Sequence, residues 1–224
     1  MDEMNQEKSQ REQSIDQAIK RQKRKKAISW SVFGIIFLIF IALIIIRIAD
    51  KPVYDDPSTP RAIIGIPDSK VVLIEYGDLQ CPACAAAHPT VKQIIEEYKD
   101  RIRYEFHHFP LTRIHPNAYN SAQAAECAND QGKFYEYVDI AYENQNALSK
   151  GSLKKYAADL GLDQSFDECL DSGAKEDEIN KDLAEAESLR LTGTPTFLVN
   201  GKQIQRSPTL TLYESLKQAL EAEL

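Results

Sequence analysis

Cys81 and Cys84 lie two residues apart in the run Gly77–Thr90, written GDLQCPACAAAHPT. Two thiols at that spacing serve three chemistries: half of a zinc site, an inert structural link, or a dithiol that trades electrons. A closed zinc site needs four ligands, usually with a second close pair. The other cysteines, Cys127 and Cys169, stand far apart, while His88 and the pair His107-His108 keep a Cys₂His₂ set formally open. An inert link fits the position poorly, because the pair falls where a strand hands over to a helix, with Cys81 at or just before the first helical residue. Unpaired N–H groups and the positive end of the helix dipole favour a thiolate there. They can bring a cysteine from about 8.5 to between ~3.5 and 7.5. A disulfide whose reduced form is so stabilised is an oxidant. Cys84, one turn inside, lacks that end-on support and is expected to stay protonated. Cys81 thus reads as the attacked or attacking sulfur and Cys84 as the resolving one.

The elements that must hold this pair follow from periodicity. Val71–Tyr76 is a compact β-branched run and reads as a buried strand, with Ile63–Ile66 a short edge strand and Ile102–Phe109 a further strand. Cys81–Tyr98 reads as a helix with Ala85, His88, Val91, Ile94, Ile95 and Tyr98 on its apolar or small face, and Pro82 in its first turn, where a missing N–H costs nothing. From about Pro116 to Leu191 the chain is rich in Ala, Glu, Lys and Leu and is broken by Gly132, Gly151, Gly161 and Gly173 into several helices. Thr196–Val199 and Lys202–Gln205 flank Asn200-Gly201, the signal for a hairpin with a type I′ turn. Thr211–Leu224 closes the chain as an amphipathic helix with a capping box of Thr211 and Glu214. Strand, helix, strand, helical block, hairpin and helix make an α/β fold with a helical insertion.

Charge divides the 224 residues unevenly. Residues 1–51 hold ten Lys and Arg against six Asp and Glu, whereas the whole chain is at −7. The acidic remainder argues against a nucleic-acid groove, which needs a basic footprint. Residues 1–26 are polar and end in the basic block KRQKRKK; residues 27–46 then run for twenty positions without a charge, closed by Arg47. At ~1.5 Å per residue this spans roughly 30 Å, the thickness of a bilayer's hydrocarbon layer. A cleaved signal peptide has a shorter core and a small-x-small site, and RIADKPVYDD after the core matches that poorly. The expectation is a single transmembrane helix at 27–46, a cytoplasmic segment 1–26 retained by its basic residues, a Pro- and Asp-rich linker at 47–60, and a domain at 61–224 outside the cytoplasm. For a bacterium, that is a single-pass inner-membrane protein whose domain meets an oxidising compartment.

A second motif, GTPTFLVNG at Gly193–Gly201, joins the first. Together with CPAC at Cys81–Cys84, FHHFPL at Phe106–Leu111 and the block AAECANDQGKFYEYVDIAY, it resembles the DsbA-like thiol-disulfide oxidoreductases of the thioredoxin fold, over about residues 61–223. The resemblance implies a thioredoxin-like fold with an inserted all-helical subdomain at about 116–191. It implies a cis bond before Pro195, which would turn the backbone of Thr194 outward beside Cys81 as an edge for an extended substrate. Pro82, Ala83, Thr194 and Pro195 would then form the substrate-binding surface. A trans proline opening a strand is the alternative. Glu75 falls where the family carries a buried acidic residue; buried, it would relay the Cys84 proton, and exposed, it would be a plain strand-end residue, with Asp78 a competing candidate or a turn residue. Pro89 falls where the family kinks its active-site helix. His88, His107 and His108 read as packing or surface residues. Some members carry a second bridge, so Cys127 and Cys169 are expected to be joined outside the cytoplasm, the alternative being two free buried thiols.

Where the family's best-known member has a histidine between its cysteines, this chain has Ala83, with neither charge nor donor. The reading is a membrane-tethered thiol oxidase that oxidises reduced extracytoplasmic proteins and is reoxidised by a membrane partner of the DsbB or VKOR type, the partner being implied by the resemblance alone. No metal or organic cofactor is implied. A reductase or isomerase with the same parts, a non-catalytic peptide-binding assembly module and a zinc-stabilised module remain as rivals.

Overall fold

In the computed structural model, which describes residues 61–205 and 207–224, five strands form one mixed sheet in the order β1-β3-β2-β4-β5. These are β1 Ile63–Gly65, β2 Val72–Gly77, β3 Arg103–His108, β4 Thr196–Val199 and β5 Lys202–Gln203. β2 and β3 are parallel, with Glu75 opposite Phe106 and Ile74 opposite Glu105. The parallel step is made by helix α1, Pro82–Tyr98, in the crossover that parallel strands require. β4 returns antiparallel beside β2, Glu75 opposite Phe197, and β1 lies antiparallel on the far edge of β3.

Side chains alternate between the two faces of the sheet. Leu73, Tyr104, Phe106, Phe197 and Val199 share a core with Val91, Ile94 and Tyr98 of α1 and with Leu216 and Leu220 of α7, Leu212–Glu221. Ile74, Tyr76 and Leu198 on the other face pack against Ala186 in α6, Glu176–Ser188. Because β2 is covered on both sides, it reads as an almost unbroken apolar run.

Between β3 and α6 stand α2, Ala118–Asn129; α3, Phe134–Glu143; α4, Lys150–Asp159; and α5, Gln164–Ser172. α2 is buried along nearly its whole length, and its Ala122, Ala124, Ala125 and Ala128 leave room for neighbouring helices to approach closely. Ser149 and Asp163 cap α4 and α5 through their side chains, and Gly173, at φ 71°, ends α5 in the left-handed conformation that glycine adopts without penalty. Cys127 and Cys169 are disulfide-bonded, tying α2 to α5.

At the β4–β5 hairpin, Asn200 and Gly201 have φ of 48° and 74°, as a type I′ turn requires. β5 ends at Gln203, short of the expected Gln205. The capping box of Thr211 and Glu214 starts α7. The expected span 27–46, with the segments on either side of it, lies outside the described residues; among the described residues no helix is long and apolar enough to cross a membrane.

Candidate functional site

Cys81 is the N-cap of α1, in extended conformation, with Pro82 as the first helical residue. Its amide donates to the Asp78 carbonyl at 2.9 Å, so the residue is pinned at the mouth of the helix. Cys81 and Cys84 are both free thiols, 6% and 0% exposed. The Cys81 pKa falls from 9.0 to about 5. The largest cause is the hydrogen bond from the Cys84 thiol; the Thr194 side chain and the N–H groups of Cys84 and Ala83 add to it, against the opposing effect of burial. The Cys84 pKa is pushed far up by the same hydrogen bond, by burial and by the charge of Glu75. The helix end contributes through two N–H groups, but the neighbouring thiol contributes more. One sulfur is thereby a thiolate at neutral pH and the other holds its proton.

The Thr194-Pro195 peptide bond is cis, and the Thr194 carbonyl lies 3.6 Å from Cys81 Sγ. The Thr194 hydroxyl is buried and has no partner other than the cysteine sulfurs it faces. Thr196 Oγ1 donates to the Gly193 carbonyl at 2.7 Å and closes the turn before β4. Pro82 and Ala83 are exposed, and Thr194 and Pro195 are half-buried beside them. Of the four, Pro82 and Ala83 follow Cys81 in the chain, and Thr194 meets it through its carbonyl.

Beneath it, Glu75 is fully buried. Its Oε2 accepts from the Tyr104 hydroxyl at 2.8 Å and its Oε1 has no partner. Burial, only partly offset by Tyr104, pushes its pKa to about 7. Asp78, the competing carboxylate, is also buried but fully engaged: Oδ1 accepts from the Gln80 amide at 2.8 Å, and Oδ2 meets the Leu111 amide at 2.9 Å and His115 Nδ1 at 2.6 Å. It makes the expected turn and also staples the active-site loop to the chain leaving β3.

Two side chains to which the motifs gave no role arrive from the insertion. Gln145, just past α3, donates from Nε2 to the carbonyls of Leu79 at 3.0 Å and Cys81 at 2.8 Å. Tyr142 brings a buried hydroxyl toward Cys84 and Glu75. Both stand some sixty residues beyond the cysteines; the sequence signal is their place at or just past the end of a helix in the insertion, Tyr142 also closing the block AAECANDQGKFYEYVDIAY.

The histidines differ among themselves. His88 is half-buried, with Nε2 2.6 Å from Asp139 Oδ1. His107 and His108 are fully buried in a charged cluster rather than at the surface. His107, Asp182 and Glu185 bring ligand-type atoms within 4.8 Å of one another. The Arg61 guanidinium already occupies Asp182 at 3.0 and 2.5 Å, and a cation already in place opposes a second one.

A thioredoxin family model matches residues 58–222. The fold is similar to that of a thioredoxin-like oxidoreductase from Silicibacter pomeroyi, with a TM-score of 0.64 and 23% identity over 75% of this chain and 92% of that one. It is similar as well to the thiol-disulfide exchange protein alpha-DsbA2 of Wolbachia pipientis, with a TM-score of 0.63 and 21% identity over 72% and 86%. A Na(+)/H(+) antiporter NhaA 1 of a Mycobacterium species is 36% identical over an alignment of 183 residues that covers 79% of this chain and 29% of the relative. The chain thus spans less than a third of the length of the curated relatives it matches. With CPAC at the mouth of α1, a cis proline beside it and the family match across both, the chain belongs to the thioredoxin family.

Proposed function

We propose that this protein is a membrane-tethered thiol-disulfide oxidoreductase that introduces disulfides into extracytoplasmic proteins through Cys81 and Cys84. The observation that carries the reading is the Cys81 thiol, with a pKa of about 5, lying 3.6 Å from the carbonyl of the residue before a cis proline. The names of the similar structures, an oxidoreductase and a thiol-disulfide exchange protein, support the same chemistry.

In the oxidising direction a substrate thiolate attacks Cys81 Sγ of the Cys81–Cys84 disulfide. That bond breaks and its electron pair leaves on Cys84, which takes up a proton. A second substrate thiolate then attacks the substrate sulfur of the mixed disulfide, and Cys81 leaves as a thiolate. The substrate has lost two electrons and the pair has gained them. A sulfur with a pKa near 5 is a good leaving group at neutral pH, which speeds release and favours the reduced enzyme. Glu75, with a pKa of about 7, is half-protonated near neutrality and suited to pass the Cys84 proton. Thr194, Pro195, Pro82 and Ala83 offer the bordering edge, with an extended substrate pairing to the Thr194 backbone as an added strand. The apolar stretch 27–46, preceded by a basic block, supports a single-pass anchor with the catalytic domain outside the cytoplasm. Reoxidation then falls to a membrane partner of the DsbB or VKOR type.

The test is equilibration of the full-length protein in detergent against glutathione mixtures, with the thiolate followed by its ultraviolet absorbance. The expected result is a potential well above thioredoxin's value of about −270 mV, a Cys81 pKa near 5, and no turnover in Cys81→Ser. A potential near thioredoxin's would assign the reductive direction instead. A Cys81 pKa like that of a free thiol would remove the reading altogether.

A further inference from the structure

Tyr142, in the last turn of α3, is buried, and its hydroxyl is enclosed without a hydrogen-bond partner. An enclosed hydroxyl with nothing to bond destabilises a fold, so a phenylalanine would serve packing better. The surroundings nevertheless keep room for it. A Cβ on Gly77 would lie 3.1 Å from this oxygen and 2.3 Å from the ring of Phe106, so the absence of a side chain at Gly77 lets both rings approach the end of β2. The Tyr142 ring is also fixed from outside. It packs on His88 at 4.7 Å between centroids, and His88 is in turn held by Asp139. With Ala85, Pro89 and Lys92 these three line a cavity of about 440 Å³. The phenol is thus anchored by α1 on one side and pressed toward Cys84 on the other. Burial first, then the negative charge that Cys84, Glu75 and Asp78 carry when ionised, and a hydrogen-bond contact with Cys84, keep it protonated at every physiological pH. In the reduced resting state the acceptor it faces is the sulfur of a protonated Cys84, which accepts only weakly.

We propose that the Tyr142 hydroxyl donates a hydrogen bond to the Cys84 sulfur while that sulfur carries negative charge, as the Cys81–Cys84 bond breaks or forms. This rests on the thiol-disulfide exchange reading above. As the incoming thiolate bonds to Cys81 Sγ, the electron pair of the broken bond goes to Cys84. Tyr142 keeps its proton and stabilises that charge, and the protonated Glu75 carboxyl then delivers a proton to the sulfur and becomes carboxylate. A leaving sulfur that is stabilised departs faster. Because an uncharged thiol or disulfide sulfur accepts this bond only weakly, both directions are accelerated by nearly the same factor.

The test is Tyr142→Phe in the full-length protein in detergent, with exchange against glutathione followed by stopped flow. A charge-assisted hydrogen bond that is strong only in the transition state predicts rate constants lower by about tenfold in both directions. The equilibrium constant with glutathione and the Cys81 pKa are expected to match wild type. Unchanged rates overturn the proposal, and a gain in thermal stability alongside them would mark Tyr142 as packing alone. Slowing that comes with an altered Cys81 pKa or equilibrium constant overturns it too, since the hydroxyl would then act on the resting thiol pair. Wild-type protein that exchanges normally while Tyr142→Phe does the same sinks this inference alone; wild-type protein that fails to exchange sinks the parent reading with it.

Discussion

Glu75 and Glu105 sit on neighbouring strands, on opposite faces of the same sheet, and both are almost completely buried. Their surroundings could hardly differ more. Glu105 meets Arg103 Nε at 2.7 Å, His107 Nε2 at 3.1 Å and Arg61 Nε at 4.0 Å. Around it, Arg61 grips Asp182, and His107 reaches Glu185 at 3.0 Å. In this cluster the opposite charges win. Burial works against the charge of His107 and of Asp182, yet their partners hold the His107 pKa above its usual value and the Asp182 pKa below. Glu75 has one neutral hydroxyl for company, and burial wins, taking it to about 7. A paired buried charge stays fixed and holds the structure together, whereas an unpaired one becomes a proton carrier at physiological pH. The active-site face also leaves the Thr194 and Tyr142 hydroxyls unpartnered.

The harshest way to break this contrast is to unpair the other face. Arg61→Met removes the cation that serves Asp182 at 3.0 and 2.5 Å and the Phe106 carbonyl at 3.1 Å. Leaving buried carboxylates without their partner costs about 3–5 kcal/mol, so the urea midpoint is expected to drop by that equivalent. The Cys81 pKa is expected to stay near 5, because Arg61 has no part in setting it. A displaced Cys81 pKa in a variant that still folds would show that the two faces are not separate devices.

Glu75→Gln is expected to act in the opposite direction. A carboxyl at about 7 in the fold and about 4.5 when unfolded adds stability below pH 4.5, which is lost as the pH rises to 7. Above that, the ionised group burdens the fold by roughly 3 kcal/mol at most. The variant should therefore be more stable than wild type at pH 8, by up to that amount, and match it near pH 4. Exchange should slow, and its pH dependence around 7 should flatten. A wild-type stability that does not fall between pH 4.5 and 7 would show that Glu75 is paired after all.

What the sequence conveys about these two faces differs for the same physical reason. The strand before CPAC, the proline in the first turn of α1, the Thr194-Pro195 pair and the Asn200-Gly201 turn are all local, fixed by the dihedral habits of a few adjacent residues. The first turns of α1 were less legible. Alanines carry no periodic signal, and the expected face through Ala85 and His88 yields to a buried face through Cys84 and Ala87, because Ala85 and His88 line the cavity against α3 instead. From Val91 onward the apolar period and the buried face coincide. His107 and His108, adjacent in the run EFHHF, show nothing of Arg61, Asp182 or Glu185, which join them from distant segments. Gln145 and Tyr142 are hidden by the same distance. Short-range chemistry is written in neighbouring letters; a side chain that completes a site from another subdomain is not.

The finest probe of the unpartnered face is Thr194→Val, which keeps the shape and removes the hydroxyl. That hydroxyl has no partner beside the Cys81 thiol and can give its proton to the thiolate, where it helps hold the pKa near 5. Without it the Cys81 pKa should rise, and the reduced form should lose about one hydrogen bond's net worth, ~1 kcal/mol. At about 30 mV for each 1.4 kcal/mol, the potential should fall by roughly 20 mV, making the disulfide a weaker oxidant. Folding stability of the disulfide form should hold or improve slightly, since a buried donor that has no thiolate to bond there is gone. Thiolate absorbance against pH and glutathione equilibration read the two shifts separately. Because both report the same stabilisation, they must agree in sign and size. If the potential moved while the Cys81 pKa did not, the hydroxyl would be acting on the disulfide form, and the division between paired and idle groups would fail at the site where it matters most.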